Sequence, residues 1–257
     1  AVAAIPEGLP AIVTITLALS VNRILRRGAV IRKLHAVETL GCAGVICTDK
    51  TGTITQNKMT VQRIWVPGRT LNVSGSGYRA QGAVEENGRP VQAARDAALG
   101  RLCEAASLCT TAHITRAKDV YDVMGDPTEV AVLVAAAKAG VTKEALLQQY
   151  TVIGENPFDA ARKRMSVTVS GPGGVRLLCK GAPDMLLARC THIETPAGPR
   201  LLAPRDRADI NAACARMAGE ALRVLGFAES STPAAGEEKL CFLGLMGMLD
   251  PPRPEVR

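Results

Sequence analysis

The stretch from Val45 to Thr55 constrains the fold of this chain more than any other. It runs Val-Ile-Cys-Thr-Asp-Lys-Thr-Gly-Thr-Ile-Thr. The apolar start, residues 45–47, predicts a short buried strand, and the polar residues after it predict a loop. In open α/β sheets the loops at the carboxyl ends of strands carry the chemistry, so Asp49 lies where a nucleophile is expected. The stretch therefore favours an α/β fold with a reactive carboxylate beyond a strand.

Asp49 is suited to nucleophilic attack on phosphorus, which would give an aspartyl phosphate. An aspartate is ionised at neutral pH and needs no general base. Lys50, the hydroxyls of Thr51 and Thr53, and a magnesium ion would neutralise the charge on the transferring group. Gly52 would let the backbone approach that group closely. The alternative is an ordinary surface turn after a strand, and the short Asp-Lys-Thr-Gly sequence favours neither.

The longer string from Asp49 to Met59 resembles the phosphorylation motif of P-type cation ATPases. It reads Asp-Lys-Thr-Gly-Thr-Ile-Thr-Gln-Asn-Lys-Met. The resemblance implies a partial haloacid-dehalogenase-like Rossmann phosphorylation domain that uses ATP and Mg²⁺. It implies catalytic roles for Asp49, Lys50 and Thr51. It also implies that Asp49 and Thr51 bind the magnesium ion and that Thr51 contacts ATP.

The composition narrows the expected partners. A net charge of +7 suits anionic partners such as a nucleotide or an acidic lipid. Aromatic residues make up only 3% of the chain and do not alternate with basic ones, so nucleic acid is not expected. The 8 cysteines form no Cys-x-x-Cys pair, which favours reduced, buried thiols over a zinc site or a disulfide framework.

Residues 1–22 predict a membrane helix, because Glu7 is their only charged residue. Arginines begin at Arg23, as expected on the cytoplasmic side. Pro6 and Pro10 interrupt the helix and would free backbone carbonyls to bind an ion. The alternative is a proline-kinked helix in a soluble core with Glu7 at its edge.

The string Pro-Glu-Gly-Leu-Pro at residues 6–10 resembles the fourth membrane helix of the calcium-pump branch of P-type ATPases. By that resemblance the carbonyls of Val2, Ala3 and Ile5 and the carboxylate of Glu7 bind the transported cation, expected to be Ca²⁺. The resemblance implies an integral protein of the plasma (inner) membrane that contacts lipid through this helix. Its phosphorylation and nucleotide domains would lie in the cytosol.

After Met59 the sequence pattern changes to short β-prone runs, turn residues and helical spacings. This pattern predicts an inserted α+β nucleotide-binding domain. Residues 62–88 mix short β-prone runs with turn residues, which predicts strands joined by loops. Apolar residues at helical spacing predict helices at residues 95–112, 127–139 and 210–225. Asp126, directly before a proline, is typical of a helix start.

Three strings in this region resemble nucleotide-domain motifs of the same family. They are Gly-Asp-Pro-Thr-Glu at 125–129, Phe-Asp-Ala-Ala-Arg-Lys-Arg-Met-Ser at 158–166 and Lys-Gly-Ala-Pro-Asp at 180–184. With a shorter match near residue 223, they imply an ATP site formed by Glu129, Phe158, Lys163, Lys180 and Arg223. Phe158 would stack on adenine. Taken alone, the same strings also fit a capped helix, a core phenylalanine and a plain strand-to-helix connection.

One departure from the family concerns the phosphates. The family's calcium pumps carry arginine at the position of Ala160, so that phosphate contact is absent here. Arg162 or Arg164 would have to replace it, and the sequence does not decide whether either does.

The apolar run at residues 240–249 predicts a strand buried on both faces. The Asp-Pro-Pro-Arg that follows resembles the family's hinge motif and implies that Asp250 and Arg253 contact ATP. The predicted domains are a membrane helix with the start of a stalk (1–27), the stalk with the first part of the phosphorylation domain (28–60), the nucleotide-binding domain (61–228) and a truncated second part of the phosphorylation domain (229–257).

The sequence therefore predicts a fragment of an ATP-driven cation pump that is phosphorylated on Asp49. The rest of the same pump is the expected partner, and the fragment alone should bind nucleotide without turnover. Two alternatives stay open: a soluble phosphatase-like hydrolase with an aspartate nucleophile, and a non-catalytic nucleotide-binding module.

Overall fold

The computed structural model describes residues 8–79, 81–118, 120–233 and 236–256. Its contacts divide the chain into two compact units, Ala1–Asp49 and Lys50–Arg257. The two units differ in secondary structure. The regular elements described in the first unit are helices, whereas the second unit is built on a large sheet.

The first unit contains helix α1, Leu9–Leu25, and the short helix α2, Ala36–Gly41. Pro10 lies in the first turn of α1, where its missing N–H is not needed for a helical hydrogen bond. Among the residues that the structure describes, no helix is both long and apolar enough to cross a bilayer. The predicted cation ligands lie outside the described residues: Val2, Ala3, Ile5 and Glu7.

The predicted strand at residues 45–47 is wrong. These residues are irregular, and the side chains of Val45 and Ile46 are 81% and 84% exposed. A β-strand needs a neighbouring strand to accept and donate its backbone hydrogen bonds, and the described part of the first unit offers none. The parallel, Rossmann-type sheet predicted for the phosphorylation domain is therefore not present among the described residues.

Among its described residues, the second unit contains an eleven-stranded sheet and a separate two-stranded hairpin. The thirteen strands are β1 Thr60–Val66, β2 Arg69–Val73, β3 Val84–Glu86, β4 Arg89–Pro90, β5 His113–Ala117, β6 Val120–Met124, β7 Thr151–Asp159, β8 Arg164–Gly171, β9 Gly174–Gly181, β10 Cys190–Ile193, β11 Arg200–Leu201, β12 Arg223–Ser230 and β13 Leu240–Leu249. The main sheet has the order β4-β3-β2-β1-β13-β12-β9-β8-β7 and is antiparallel along this path. Strand β10 adds a parallel pair with β13, and β5 pairs with β6 in the hairpin.

Helices cover both faces of the main sheet. They are α3 Ala97–Leu108, α4 Pro127–Lys138, α5 Lys143–Leu147, α6 Pro183–Leu187 and α7 Pro204–Gly219. Ile64 packs in a core with α3 and α4, whereas its neighbour Trp65 packs in a second core with α6 and α7. Successive residues of a strand point to opposite faces, so the two cores lie on opposite sides of the sheet.

Strand β13 is buried on both faces, as its sequence predicts. Leu243 and Met246 belong to the first core, and Phe242 and Leu245 to the second. β13 lies between β1 and β12, so the sheet spans the predicted domain boundaries after residues 60 and 228. The two boundaries stay predictions. The contacts between residues group Lys50–Arg257 into one compact unit that includes both boundaries.

The helix predicted at residues 127–139 is confirmed as α4. Asp126 caps it by accepting a 2.8 Å hydrogen bond from the Thr128 backbone N–H, and Pro127 is its first residue. Gly140 follows the helix with a φ of +90°, a conformation that favours glycine and closes a helix.

The helix predicted at residues 210–225 is wrong at its carboxyl end. Helix α7 ends at Gly219, and Ala221 then adopts a φ of +58°, which a helix cannot continue through. Residues 223–230 instead form β12, which hydrogen-bonds to β9 on one side and β13 on the other. Pairing on both edges of a central strand outweighs the weak local preference for a helix.

Candidate functional site

A cavity of about 500 Å³ opens at one end of the main sheet. Here the ends of β7 and β9 lie beside the starts of β8 and β12, because the strands are antiparallel. The cavity, called the Glu129 cavity below, is also bordered by the start of α4. Five predicted ATP ligands line it: Glu129, Phe158, Lys163, Lys180 and Arg223. Its volume is in the range typical of small-molecule sites.

Glu129 and Lys180 form an ion pair in this cavity. The Lys180 ammonium donates a 2.6 Å hydrogen bond to Glu129 Oε1, and both side chains are largely buried. Glu129 Oε2 accepts hydrogen bonds from the Thr111 hydroxyl at 2.8 Å and from the backbone N–H groups of Thr111 and Ala112. Burial alone raises the pKa of Glu129, but Lys180 and the threonine hydroxyls outweigh burial and lower this pKa to about 2. The cavity therefore presents an ionised carboxylate held in one orientation.

Lys143 supports the same loop from behind and was not identified from the sequence. Its buried ammonium donates to the carbonyls of Thr110 at 2.8 Å and Ala112 at 2.9 Å. Burial lowers the pKa of Lys143, while nearby Glu129 opposes this effect. The sequence does not indicate that Lys143, in the first turn of a short helix, contacts the carbonyls of Thr110 and Ala112, which lie more than 30 residues earlier. The loop that holds Glu129 is thus itself hydrogen-bonded to a buried cation.

Phe158 exposes its ring at the cavity. The chain has 3 phenylalanines, and the other two, Phe227 and Phe242, are fully buried, whereas Phe158 is 63% exposed. A large aromatic ring gains about 1.5–3 kcal/mol by complete burial, so its exposure at a cavity is unusual for a purely structural residue. The ring is available to stack on a planar ligand.

Lys163 and Arg223 add positive charge to the cavity lining. Of the three predicted cationic ligands that line the cavity, only Lys180 forms an ion pair with a carboxylate in the described ranges. Lys163 has a φ of +52° at the turn between β7 and β8. Gly181 lies so close to this turn that a Cβ there would be 2.5 Å from the Lys163 carbonyl oxygen. The glycine of the Lys-Gly sequence is therefore required for packing against Lys163.

Arg162 and Arg164 do not line the Glu129 cavity. Both side chains form ion pairs with Glu237 instead. The positions of Arg162 and Arg164 therefore do not support a role for either residue in replacing the phosphate contact that is missing at Ala160.

Thr51, Asp250 and Arg253 do not line the Glu129 cavity either. Thr51 lies in the turn Lys50–Ile54. Asp250 accepts a 2.5 Å hydrogen bond from the Thr55 hydroxyl and a 3.0 Å bond from the Lys58 backbone N–H. Arg253 donates to the backbone carbonyls of Ile54 and Gly52. Asp250 and Arg253 thus belong to a second group, in which the Asp-Pro-Pro-Arg segment binds residues 52–58, directly after Thr51 in the chain.

Acidic, histidine and cysteine side chains are the groups that could bind a metal ion in this chain. No group of three or more such residues that could hold a metal ion occurs in residues 8–256, apart from the gaps named above. Asp49, a predicted magnesium ligand, is the last residue of the first unit.

Comparison with known proteins identifies the family. The family model for the P-type ATPase cytoplasmic domain N matches residues 98–255, more than half of the chain. All of the chain aligns with a calcium-transporting ATPase of Bacillus subtilis (strain 168) at 43% identity and covers 30% of it. It also aligns in full with the cation-transporting ATPase pma1 of Synechocystis, at 40% identity and covering 29% of it. The human calcium-transporting ATPase type 2C member 1 is 40% identical over the whole chain, which covers 27% of it.

The chain thus spans less than a third of the length of these relatives. The match to the family model contains all five predicted ligands that line the Glu129 cavity. Four of them lie on α4, β7, β9 and β12, and the fifth, Lys163, lies between β7 and β8. The chain belongs to the P-type ATPases, and residues 98–255 correspond to their cytoplasmic N domain.

Proposed function

We propose that this chain binds ATP in the Glu129 cavity and forms part of a calcium-type P-type ATPase. The observation that supports this most directly is the convergence of an exposed aromatic ring, an ionised carboxylate and two cations, for which the part of the chain that the structure describes contains no ion pair, on one cavity. Adenine offers a flat ring and an amino donor, and the triphosphate offers negative charge. The cavity has a matching group for each of these features.

The parts of ATP are assigned to the lining residues by chemistry. The adenine ring stacks on Phe158, in the manner of a base on an aromatic platform. The adenine amino group donates a hydrogen bond to the Glu129 carboxylate, which is ionised and only accepts. Lys163 and Arg223 hold phosphate oxygens through charge-assisted hydrogen bonds. Lys180 keeps Glu129 ionised and in place.

In the whole protein, Asp49 receives the γ-phosphoryl group. A carboxylate oxygen of Asp49 forms a bond to the γ-phosphorus, the bond to the β,γ-bridging oxygen breaks, and ADP leaves with that electron pair. Lys50 and Thr51 neutralise charge on the group in transfer. The oxygens of Asp49 and Thr51 are hard donors of the kind that Mg²⁺ prefers, and Mg²⁺ when bound supplies further neutralisation. Asp250 and Arg253 hold the segment that follows.

The transported cation is proposed to be Ca²⁺. Support comes from the relatives named as calcium-transporting ATPases and from the Pro-Glu-Gly-Leu-Pro string. The proposed ligands are Val2, Ala3, Ile5 and Glu7, within a membrane helix of the plasma (inner) membrane that contacts lipid. The rest of the same pump is the proposed partner. Residues 28–60 and 229–257 are proposed to contribute to its phosphorylation domain, and residues 61–228 to its nucleotide domain, although β13 of the last segment also completes the sheet of the nucleotide domain.

The first experiment measures ATP binding to the 257-residue chain by calorimetry. Phe158→Ala should weaken binding roughly tenfold, because base stacking on an aromatic ring contributes about 1–3 kcal/mol. Leu201→Ala is a matched control, since Leu201 is 72% exposed and does not line the cavity. No binding by the unmodified chain, or equal binding by Phe158→Ala, would contradict the proposal.

The second experiment tests phosphorylation in the full-length protein. Label from γ-labelled ATP should be stable in acid, released by hydroxylamine and absent from Asp49→Asn. The 257-residue chain should bind ATP without turnover. ATP binding with no phosphoenzyme in the full-length protein would favour a non-catalytic nucleotide-binding module instead.

A further inference from the structure

Glu237 binds the turn between β7 and β8 from a loop far along the chain. Its Oε1 accepts hydrogen bonds from Arg162 Nη1 at 2.7 Å and Ser166 Oγ at 2.8 Å. Its Oε2 accepts from Arg164 Nε at 2.5 Å and from Arg162 Nη1 at 2.9 Å. The Arg164 side chain is only 6% exposed and that of Glu237 10%. One carboxylate thus joins two arginines and a strand residue.

This group, called the Glu237 clamp below, lies on the face of the sheet opposite the Glu129 cavity. Arg164 and Ser166 reach Glu237, whereas Met165 between them lines the cavity. The alternation follows from strand geometry, in which neighbouring side chains point to opposite faces. Burial raises the pKa of Glu237, but the hydrogen bonds from Ser166 and the two arginines outweigh burial and lower it. The carboxylate is therefore ionised and compensates both guanidinium groups.

Lys163 stands between the two clamped arginines. Its backbone has a φ of +52°, which non-glycine residues seldom adopt and which neighbouring contacts must maintain. Its N–H donates to the Asp159 carbonyl at 2.7 Å, and its carbonyl accepts from the Ala182 N–H at 2.9 Å. Its side chain lines the cavity while those of its neighbours point to Glu237.

We propose that Glu237 is a positioning residue for nucleotide binding. By holding Arg162 and Arg164 on the far face, it fixes the turn so that the Lys163 ammonium is held at the cavity before ATP arrives. This inference rests on the proposed ATP site. Prior ordering of a long, flexible side chain strengthens binding, because less conformational entropy is lost when the ligand binds. Without the carboxylate, the nearly buried Arg164 loses its compensating charge, and the turn must rearrange to solvate it.

The test compares Glu237→Gln with Glu238→Gln in the 257-residue chain. Both substitutions remove one charge from the same loop, but Glu238 forms an ion pair with Arg189 and is 56% exposed. Glu237→Gln should raise the Kd for ATP roughly three- to tenfold, in the range of energies seen for residues coupled through one network. Glu238→Gln should leave the Kd unchanged within about twofold, because an exposed ion pair contributes little.

A second comparison separates positioning from general destabilisation. In a Lys163→Met background, Glu237→Gln should not weaken ATP binding further, because the ammonium that it positions is absent. If the two effects instead multiply, Glu237 acts on the fold as a whole and the inference is wrong. Tm is measured for every variant to show that each chain is folded at the temperature of the binding assay.

The same series distinguishes failure of this inference from failure of the ATP site. If Phe158→Ala and Lys163→Met weaken ATP binding and Glu237→Gln does not, the site stands and the positioning role is wrong. If none of the three changes ATP binding, the proposed site itself is wrong.

Discussion

Lys180, at the end of a strand, donates a 2.6 Å hydrogen bond to Glu129, which lies in the first turn of a helix 51 residues earlier. The two residues belong to motifs that are far apart in the sequence, and the fold brings them to one cavity wall. The pair is largely buried, and the carboxylate takes further hydrogen bonds from the 110–112 loop. Removing one partner would leave the other charge uncompensated in a poorly solvated place.

The first prediction concerns the pH dependence of this pair. Because the folded-state pKa of Glu129 is about 2 and its ordinary value is 4.5, its stabilisation is complete above pH 4.5 and is lost as the pH falls toward 2. Tm measured between pH 7 and pH 2 should therefore fall more steeply for the unmodified chain than for Glu129→Gln. Parallel curves across that interval would contradict the assignment. Glu144→Gln is the control, since Glu144 is an exposed acid near by.

The second prediction concerns Lys143. Lys143→Met should weaken ATP binding several-fold, because the carbonyls of Thr110 and Ala112 lose their donor and the loop that orients Glu129 loosens. The chain should also lose about 1–3 kcal/mol of stability, the range for a carbonyl left without its partner.

A second buried lysine provides the matched control for Lys143. Lys138 donates to the Ser74 carbonyl at 2.7 Å and does not line the Glu129 cavity. Lys138→Met should lower the free energy of unfolding, measured by denaturation. It should leave the Kd for ATP, measured by calorimetry, unchanged. If the two variants affect binding equally, Lys143 has no specific role in the site.

The third prediction concerns Gly181. A Cβ at this position would be 2.5 Å from both the Lys163 carbonyl oxygen and the Arg164 Cβ, so Gly181→Ala forces the β7–β8 turn away. We expect a loss of about 1–3 kcal/mol in the free energy of unfolding, as for overpacked positions, together with weaker ATP binding. Gly219→Ala is the control, because a Cβ there meets nothing within 4 Å. Equal denaturation midpoints for the two variants would contradict the close packing.

Five of the eight ATP ligands predicted from the sequence line the cavity, whereas the contacts that support the cavity could not be predicted. Phe158, Glu129 and Lys180 could be predicted because each lies in a motif whose local string is specific. Lys143 and Glu237 could not, since each acts through a contact more than 30 residues away in the chain and neither lies in a recognisable string.

The errors in the fold have the same physical origin. Residues 45–47 have a strong strand preference, yet the described part of their unit has no partner strand, and they stay irregular. Residues 222–225 have helical spacing, yet pairing with β13 draws Arg223 to Leu225 into a strand, and the strand continues from Gly226 beside β9. In both cases the decisive interaction is between segments that are distant in sequence. Helix α4 was predicted correctly because its cap, Asp126, acts within the same turn.

The fourth prediction separates ATP binding from phosphoryl transfer. Asp250 accepts a hydrogen bond from the Thr55 hydroxyl on one oxygen and from the Lys58 N–H on the other, so it holds both ends of the segment 55–58. In an asparagine an NH2 group replaces one of these two oxygens and donates instead of accepting, so only one of the two hydrogen bonds can be accepted in the same geometry. In the full-length protein, Asp250→Asn should slow phosphoenzyme formation roughly tenfold through misplacement of the reacting groups. In the 257-residue chain it should leave the Kd for ATP unchanged, because Asp250 does not line the Glu129 cavity.

The control for Asp250 is Glu255→Gln, which removes the same charge from an exposed acid in the short turn Pro254–Val256. Its rate of phosphoenzyme formation should match that of the unmodified protein. A weaker Kd for ATP in Asp250→Asn would place Asp250 among the direct nucleotide ligands, as the Asp-Pro-Pro-Arg resemblance implies. An unchanged rate together with an unchanged Kd would show that the hydrogen bonds to Thr55 and Lys58 matter for neither binding nor transfer.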